Sequence, residues 1–328
     1  MKSSHVVEAS LPDTFVKELL ADAVAMRSHN VTTLGALRKL AGKASWATGI
    51  GPSLRSFLAP FWAVIGDAAV QSQTTHTSAA SRRKARKLWR GTPVVPVRRV
   101  AVALDWIVAL LRHNKQGAAL RCEMDWRVLS KPPAFVITCD ASPWGLGAVL
   151  TDANGRVIAW FACEVTQLDA DLLEVKLGDC TAQAAFEGLA LLVALREWSP
   201  KWTGEKLKVH VRSDSAAALG AVEKMASPSP GLNLLTREVA IDVALATYAV
   251  KVSYGHIAGV LNEAADALSR LTAPEPKAFP ESLDRTMEHK VAPRVRAWWR
   301  SSSGPSVLAG PPPRGARGRK RKAGHISP

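Results

Sequence analysis

The sequence has 328 residues, of which 47% are hydrophobic and 22% are charged, so most of the chain is predicted to fold around a hydrophobic core. No apolar run reaches the roughly 18–20 residues of a membrane-spanning helix. The first residues lead into Glu8 and Asp13 without the apolar stretch of a secretory signal. These features argue against membrane insertion and against secretion. The four cysteines lie far apart with no C-x-x-C pair, which argues against a disulfide framework and a zinc site.

The net charge of +15 is concentrated in two segments. Residues 82–99 include eight basic and no acidic residues, and residues 290–328 include ten basic and no acidic residues. This distribution suits a phosphate backbone, although solvated basic linkers have the same composition. The residues predicted to bind nucleic acid are Arg82, Arg83, Lys84, Arg86 and Lys87 in the first segment and Arg319, Lys320, Arg321 and Lys322 in the second.

The N-terminal part of the chain has the apolar spacing of helices. Apolar residues recur every three or four positions over 15–26 and again over 34–44, and a further apolar run covers 57–65. Either Thr32 or Thr33 is predicted to cap the second helix. We therefore predict a helical region over 1–70, a basic flexible linker over 71–96 and a connection helix over 97–133.

Strand patterns begin after Pro133. Five apolar strands are predicted, and Asn154-Gly155 between the second and third is a strong hairpin signal. Helices separate the later strands, and Asn262 is predicted to cap the last, short helix. The predicted fold class is α/β, with a mixed five-stranded sheet of three antiparallel strands plus crossover strands, flanked by helices. This domain is predicted over 134–272, and a basic disordered tail, rich in Pro, Ser, Gly and Arg, over 273–328.

Four acidic residues stand at positions that a solvated surface does not favour. Asp140 and Asp214 each end an apolar strand, Glu187 lies within an apolar helix and Asp266 falls early in the last helix. Each alone has an ordinary explanation as a turn former, an ion-pair partner or a helix-dipole partner. Together they predict a metal site, because grouped acids repel one another unless hard cations neutralise them. Two Mg²⁺ ions, or Mn²⁺ in their place, would suit the cleavage of a phosphodiester.

Four stretches of this region resemble the type 1 ribonuclease H domain of retrotransposon reverse transcriptase polyproteins, especially the DIRS-like group. They are TCDASPWGLGAVL (138–150), FEGLALLVALREW (186–198), VRSDSAAAL (211–219) and HIAGVLNEAADALSR (256–270), and the last is the most specific. The resemblance implies a ribonuclease H-like fold with Asp140, Glu187, Asp214 and Asp266 as metal ligands. It also implies that His256 takes part in proton transfer or product release. Gly188 departs from the family, which usually has a larger aliphatic residue there, and predicts a looser helix.

Upstream, residues 34–47 and 52–58 resemble the thumb and connection that follow a reverse transcriptase palm. The paired-aspartate palm motif Y-x-D-D is not found in the sequence. We therefore interpret the chain as the C-terminal part of a retroelement polymerase that lacks the palm, with a separate polymerase subunit as a candidate partner.

The predicted function is endonucleolytic hydrolysis of the RNA strand of RNA–DNA hybrids, by two-metal catalysis. A catalytically silent nucleic-acid-binding remnant of a retroelement is the alternative, and an integrase-like nuclease is a third interpretation. The GRKRK run (318–322) resembles a nuclear-localisation signal, so a nuclear location is preferred over a cytoplasmic one.

Overall fold

The computed structural model describes residues 6–74, 94–113, 120–202, 207–245 and 251–309. The basic residues 82–87 and 319–322 lie outside these ranges, so their predicted contacts with nucleic acid stay predictions. Within the described ranges, no helix has both the length and the apolar character needed to cross a bilayer.

The N-terminal region is helical, as predicted, and carries two small sheets that the sequence did not predict. Thr33 caps the second helix, since its side chain accepts a hydrogen bond from the Ala36 amide at 3.0 Å. The elements are β1 (Val6–Ser10), α1 (Asp13–Arg27), β2 (Val31–Thr33), α2 (Leu34–Ala47), α3 (Ala59–Thr74), β3 (Val94–Pro96), α4 (Ala101–His113), β4 (Arg121–Asp125) and α5 (Trp126–Leu129). Strand β1 pairs antiparallel with β4, and β2 with β3.

Two predicted boundaries in this region need correction. The predicted linker over 71–96 begins inside α3 and ends in β3, and its residues 75–93 lie outside the described ranges. The predicted connection helix over 97–133 is instead the helix α4 followed by β4 and α5. Strands of three to five residues are too short to show a clear alternating pattern, so the sequence could not reveal them.

The predicted five-stranded sheet is confirmed. Its strands are β5 (Phe135–Ala141), β6 (Gly145–Asp152), β7 (Val157–Glu164), β8 (Lys208–Ser213) and β9 (Lys251–His256). They lie in the order β7-β6-β5-β8-β9, with β5, β6 and β7 antiparallel and with β8 parallel to both β5 and β9. The predicted hairpin between β6 and β7 forms, but Gly155 has a φ of 80° whereas Asn154 has no positive φ, so the turn is longer than the two-residue type that Asn-Gly favours. This is the ribonuclease H-like arrangement that the resemblance implies.

Helices cover both faces of the sheet. They are α6 (Gln167–Leu173), α7 (Gln183–Trp198), α8 (Ala216–Lys224), α9 (Pro230–Ala244) and α10 (Glu263–Ser269). Helix α7 is apolar nearly all round and lies buried between the sheet and α9. Helix α9 belongs to two cores, because Leu235 and Val239 pack with the sheet domain whereas Ile241 packs with the N-terminal helices.

Two glycines allow helices to pack closely in the sheet domain. A Cβ atom on Gly147 of β6 would lie 2.4 Å from the Ala265 carbonyl oxygen, so α10 rests directly on the strand backbone. A Cβ on Gly188 of α7 would lie 2.8 Å from Leu235 Cδ1. The glycine that suggested a loose helix therefore lets α7 and α9 approach closely.

The prediction of a disordered tail from residue 273 is wrong for residues 273–309, which pack against the domain. Trp299 is fully buried, and the Arg294 guanidinium donates to the buried Asp169 carboxylate at 2.8 Å. Farther on, Leu308 is buried among the N-terminal helices. The composition of the segment is typical of disorder, but its few large apolar side chains are enough to anchor it.

Candidate active site

Three of the four predicted acids meet at one edge of the sheet. Asp140 lies near the carboxyl end of β5, Asp214 follows β8, and these strands are parallel neighbours. Glu187 reaches the same edge from α7, and one ligand oxygen from each of the three lies within 4.8 Å of the others. Asp140 and Glu187 are buried, whereas Asp214 is more exposed. The three carboxylates therefore form a group of hard oxygen donors that is open to solvent on the side of Asp214.

Neutral donors from α10 hold the carboxylate of Asp140. The Ser269 hydroxyl donates to Asp140 Oδ2 at 2.6 Å, and the Asn262 amide donates to Oδ1 at 3.2 Å. The Asn262 amide also donates to the Cys139 carbonyl oxygen, at 3.2 Å. Asn262 does occupy the N-cap position of α10, but its side chain makes no capping hydrogen bond. Its predicted role as a cap is therefore replaced by contacts with β5.

Glu187 is held in the same way by neutral groups. The Gln183 amide, one helical turn before it, donates to Glu187 Oε1 at 2.8 Å, and the Ser213 hydroxyl donates to Oε2 at 3.3 Å. Gln183 also donates to the Ala141 carbonyl oxygen, which ties α7 to the end of β5. Each buried carboxylate therefore has a fixed orientation.

The electrostatics of the cluster favour a cation. Burial raises the pKa of Asp140, and the nearby Asp214 and Asp266 carboxylates raise it further, against the opposing hydrogen bond from Ser269. Burial raises the pKa of Glu187 too, with Asp140 as the next cause. In the described part of the chain, no lysine or arginine forms an ion pair with Asp140, Glu187 or Asp214. Arg270 lowers the pKa of Asp140 only through its charge, since its hydrogen bond goes to Asp266.

Asp266, the fourth predicted ligand, is placed differently. Its Oδ1 accepts a hydrogen bond from Arg270 Nε at 2.7 Å, and its Oδ2 accepts one from Lys277 Nζ. Burial opposes ionisation, but these two cations hold the pKa of Asp266 below its ordinary value. Among the described residues, Asp266 is not part of the three-carboxylate group. The structure thus brings it near the cluster but pairs it with basic side chains.

His256 lies at the exposed rim of the site. It ends β9, next to β8, and its Nε2 lies 3.1 Å from the carbonyl oxygen of Asp214. Because a carbonyl oxygen only accepts hydrogen bonds, Nε2 carries the proton in this contact and Nδ1 is the acceptor nitrogen. The predicted histidine therefore lies beside the cluster and is exposed to solvent.

None of the groups that orient the acids was predicted in that role from the sequence, and Asn262 was predicted only as a helix cap. Asn262 and Ser269 belong to the 256–270 motif, and Gln183 lies four residues before Glu187, so the spacing alone could have indicated all three. Lys277 gave no such signal, because it lies in a segment whose composition suggested disorder.

Comparisons with known proteins find likeness only to solved structures. No protein-family model and no curated protein matches the chain. The crystal structure of RNase H1 from the archaeon Halobacterium salinarum NRC-1 is 19% identical and has a TM-score of 0.32. That match covers 42% of this chain and 96% of that one. The N-terminal RNase H domain of a Mycobacterium tuberculosis protein is also 19% identical, with a TM-score of 0.30, over 42% of this chain and 90% of that one.

A foamy viral protease-reverse transcriptase in complex with an RNA/DNA hybrid covers more of the chain at lower identity. It is 15% identical, with a TM-score of 0.28, over 86% of this chain and 30% of that one. Because the identities and TM-scores of these matches are low, the fold is assigned from the strand order and register of the sheet itself.

Proposed function

We propose that the protein is a divalent-metal-dependent endonuclease that hydrolyses the RNA strand of RNA–DNA hybrids. The observation that carries the proposal is the convergence of Asp140, Glu187 and Asp214, from three separate elements, on one edge of the sheet. Each of the three acids lies in one of the stretches that resemble type 1 ribonuclease H, and these stretches follow the family's order along the chain.

The residues present fit a hard divalent cation such as Mg²⁺ or Mn²⁺. All three donors are carboxylates, which these cations prefer, and burial has raised the pKa of both buried acids. In addition, Asn262 Oδ1 is buried without a hydrogen-bond partner among the described residues. Asp140, Glu187 and Asp214 would hold the cation. When bound, it lowers the pKa of water and offsets charge on the phosphate.

The protein's own groups supply orientation and proton transfer. Ser269, Asn262, Gln183 and Ser213 fix the carboxylates before substrate arrives, which avoids reorganisation during the reaction. His256 Nδ1 is the nitrogen we assign to taking a proton at the rim. Hydrolysis places the water oxygen on phosphorus and breaks the bond to the 3′ oxygen, which leaves a 5′-phosphate and a 3′-hydroxyl.

We assign the choice of RNA over DNA to the 2′-hydroxyl and to the minor-groove shape of the hybrid. The basic segments, which lie outside the described residues, would add phosphate contacts whose strength falls as salt rises. We further propose that the chain is the C-terminal part of a retroelement polymerase, acts beside a separate polymerase subunit and works in the nucleus. The supporting observations are the 256–270 motif, the missing Y-x-D-D motif and the 318–322 basic run.

The test is cleavage of an end-labelled RNA–DNA hybrid by the purified full chain in Mg²⁺. Asp214→Asn and added EDTA should each abolish cutting of the RNA strand, whereas the exposed Asp171→Asn on α6 serves as a matched control and should cut normally. Circular dichroism of each variant verifies that it is folded. The DNA strand and a DNA duplex should remain intact.

Binding of the hybrid without cutting, equal in the wild type and Asp214→Asn, would refute the enzyme proposal. That outcome would favour the alternative, a silent nucleic-acid-binding remnant. Cutting of both strands would instead favour a less selective nuclease such as the integrase-like one.

A further inference from the structure

The segment that follows α10 is anchored on β7 and returns Lys277 to Asp266. The Phe279 ring packs against Trp160 of β7, with their centroids 5.0 Å apart, and the Arg285 guanidinium lies 4.1 Å over the same Phe279 ring. The Trp160 indole also donates to the Asp284 carbonyl oxygen at 2.7 Å. Lys277 lies two residues before Phe279, so these contacts restrict where its side chain can reach.

Lys277 and Arg270 occupy both oxygens of Asp266. The Asp266 side chain is 22% exposed, whereas those of Arg270 and Lys277 are 47% and 51% exposed. The carboxylate is therefore enclosed between two cations that still face solvent. A divalent ion that used Asp266 as a ligand would have to displace the ammonium group and would lie beside the guanidinium group.

The charges of the whole set match one divalent ion. The three clustered carboxylates are negative when ionised, and Asp266 with its two cations has one positive charge in excess. One divalent cation on the cluster therefore neutralises the set. A second would leave an excess of two positive charges in a partly buried site, of which the scissile phosphate would offset one.

We propose that Lys277, oriented on Asp266 together with Arg270, supplies the second positive charge of this site, so that the site binds one divalent cation rather than two. The inference rests on the proposed function, because it specifies the metal content of the same site. It also gives Asp266 a new role as a positioning residue, which holds the ammonium group near the scissile phosphate. Lysine suits this task as a compact point charge for phosphate oxygens.

The test counts bound Mn²⁺ per full-length chain, without substrate, from the electron paramagnetic resonance signal of free Mn²⁺. We expect one ion in the wild type, in Lys277→Arg and in Lys290→Met, which removes an exposed lysine of the same segment. Lys277→Met should bind two, because it frees one oxygen of Asp266. Asp266→Asn should leave the count at one. Cleavage should depend on Mg²⁺ with a Hill coefficient of about one in the wild type, rising towards two in Lys277→Met.

Two ions in the wild type, one ion in Lys277→Met, or loss of an ion in Asp266→Asn would each overturn the inference while leaving the proposed metal-dependent nuclease intact. Failure of the wild type to bind any Mn²⁺ would overturn the proposed function together with the inference. Asp214→Asn is the reference for a weakened site in the same titration.

Discussion

Two regions of the molecule bury pairs of carboxylates and treat them in opposite ways. On the outer side of α7, Glu238 and Asp242 are fully buried, and Arg196 donates to both at 2.7–2.8 Å. At the sheet edge, Asp140 and Glu187 are buried with only neutral amides and hydroxyls as hydrogen-bond donors among the described side chains. Acids with a cation of their own can stay buried and ionised as long as the pair is intact, whereas acids left with neutral donors provide a place for a cation from solution.

The largest expected effect comes from removing Arg196, the cation of the first region that bonds both of its acids. Arg196→Met removes the cation that bonds both buried acids and leaves Arg300, which pairs with Asp242 at 2.5 Å, as the remaining guanidinium beside them. We expect the free energy of unfolding to fall by about 3–5 kcal/mol. Urea denaturation of the full chain measures the loss. The exposed Arg156→Met should change the midpoint far less, and a loss equal to that control would contradict the contrast between the two regions.

Adding a cation to the second region should have the next largest effect. Saturating Mg²⁺, at a hundred times its dissociation constant, should stabilise the fold by about 2.7 kcal/mol because it binds only the folded cluster. Thermal unfolding in Mg²⁺ and in EDTA measures this difference. The wild type should melt higher in Mg²⁺, and Asp214→Asn should lose most of that gain; an equal gain in both proteins would place the ion elsewhere.

A smaller effect is expected from the groups that orient the carboxylates. Ser269→Ala removes the 2.6 Å hydrogen bond to Asp140 and should weaken Mn²⁺ binding by about 10–100-fold. Mutation of a residue that hydrogen-bonds a metal ligand typically has an effect of this size. Isothermal titration measures the affinity. Ser10→Ala, at the exposed end of β1, is the control and should bind Mn²⁺ normally. Unchanged affinity in Ser269→Ala would show that α10 does not orient Asp140.

The smallest effect has the opposite sign. Burial and the nearby Asp140 raise the pKa of Glu187 to about 8, so in EDTA at about pH 9 its carboxylate is ionised and repels its neighbours. Glu187→Gln removes that charge while keeping the side-chain length and should raise the free energy of unfolding at this pH by about 1 kcal/mol. Urea denaturation in EDTA measures the gain, and the same change at Glu238, which has Arg196 as its partner, should be destabilising. A loss of stability in Glu187→Gln would mean that the cluster is not under charge repulsion.

The parts of the fold that local sequence signals specify were predictable. The position of the hairpin at Asn154-Gly155, the strand-terminal positions of Asp140 and Asp214 and the apolar helix around Glu187 all agree with the structure, because turn chemistry and hydrophobic period act over a few residues. Their convergence on one edge followed from strand order. Neighbouring parallel strands end at the same side of a sheet.

Contacts between distant parts of the chain were not predictable in this way. Arg294 meets Asp169 across a separation of 125 residues, and Trp299 reaches the same carboxylate with its indole nitrogen at 3.2 Å. Neither contact leaves a periodic pattern, and the surrounding Pro, Ser and Arg residues are typical of disordered chains. The pairing of Asp266 with Lys277 was missed for the same reason, and the role of Asp266 as a metal ligand stays a prediction.

The membership of α9 in two cores has a consequence for how the chain folds during synthesis. The N-terminal helices complete their core only with Ile241 of α9 and with Leu308 from the end of the described chain. A ribosome at 5–20 residues per second needs about 10–60 seconds to reach those residues after the first helices emerge. These helices are therefore made well before their core is complete, and their apolar face stays open to chaperones, or to other copies of the chain, until Leu308 has been made.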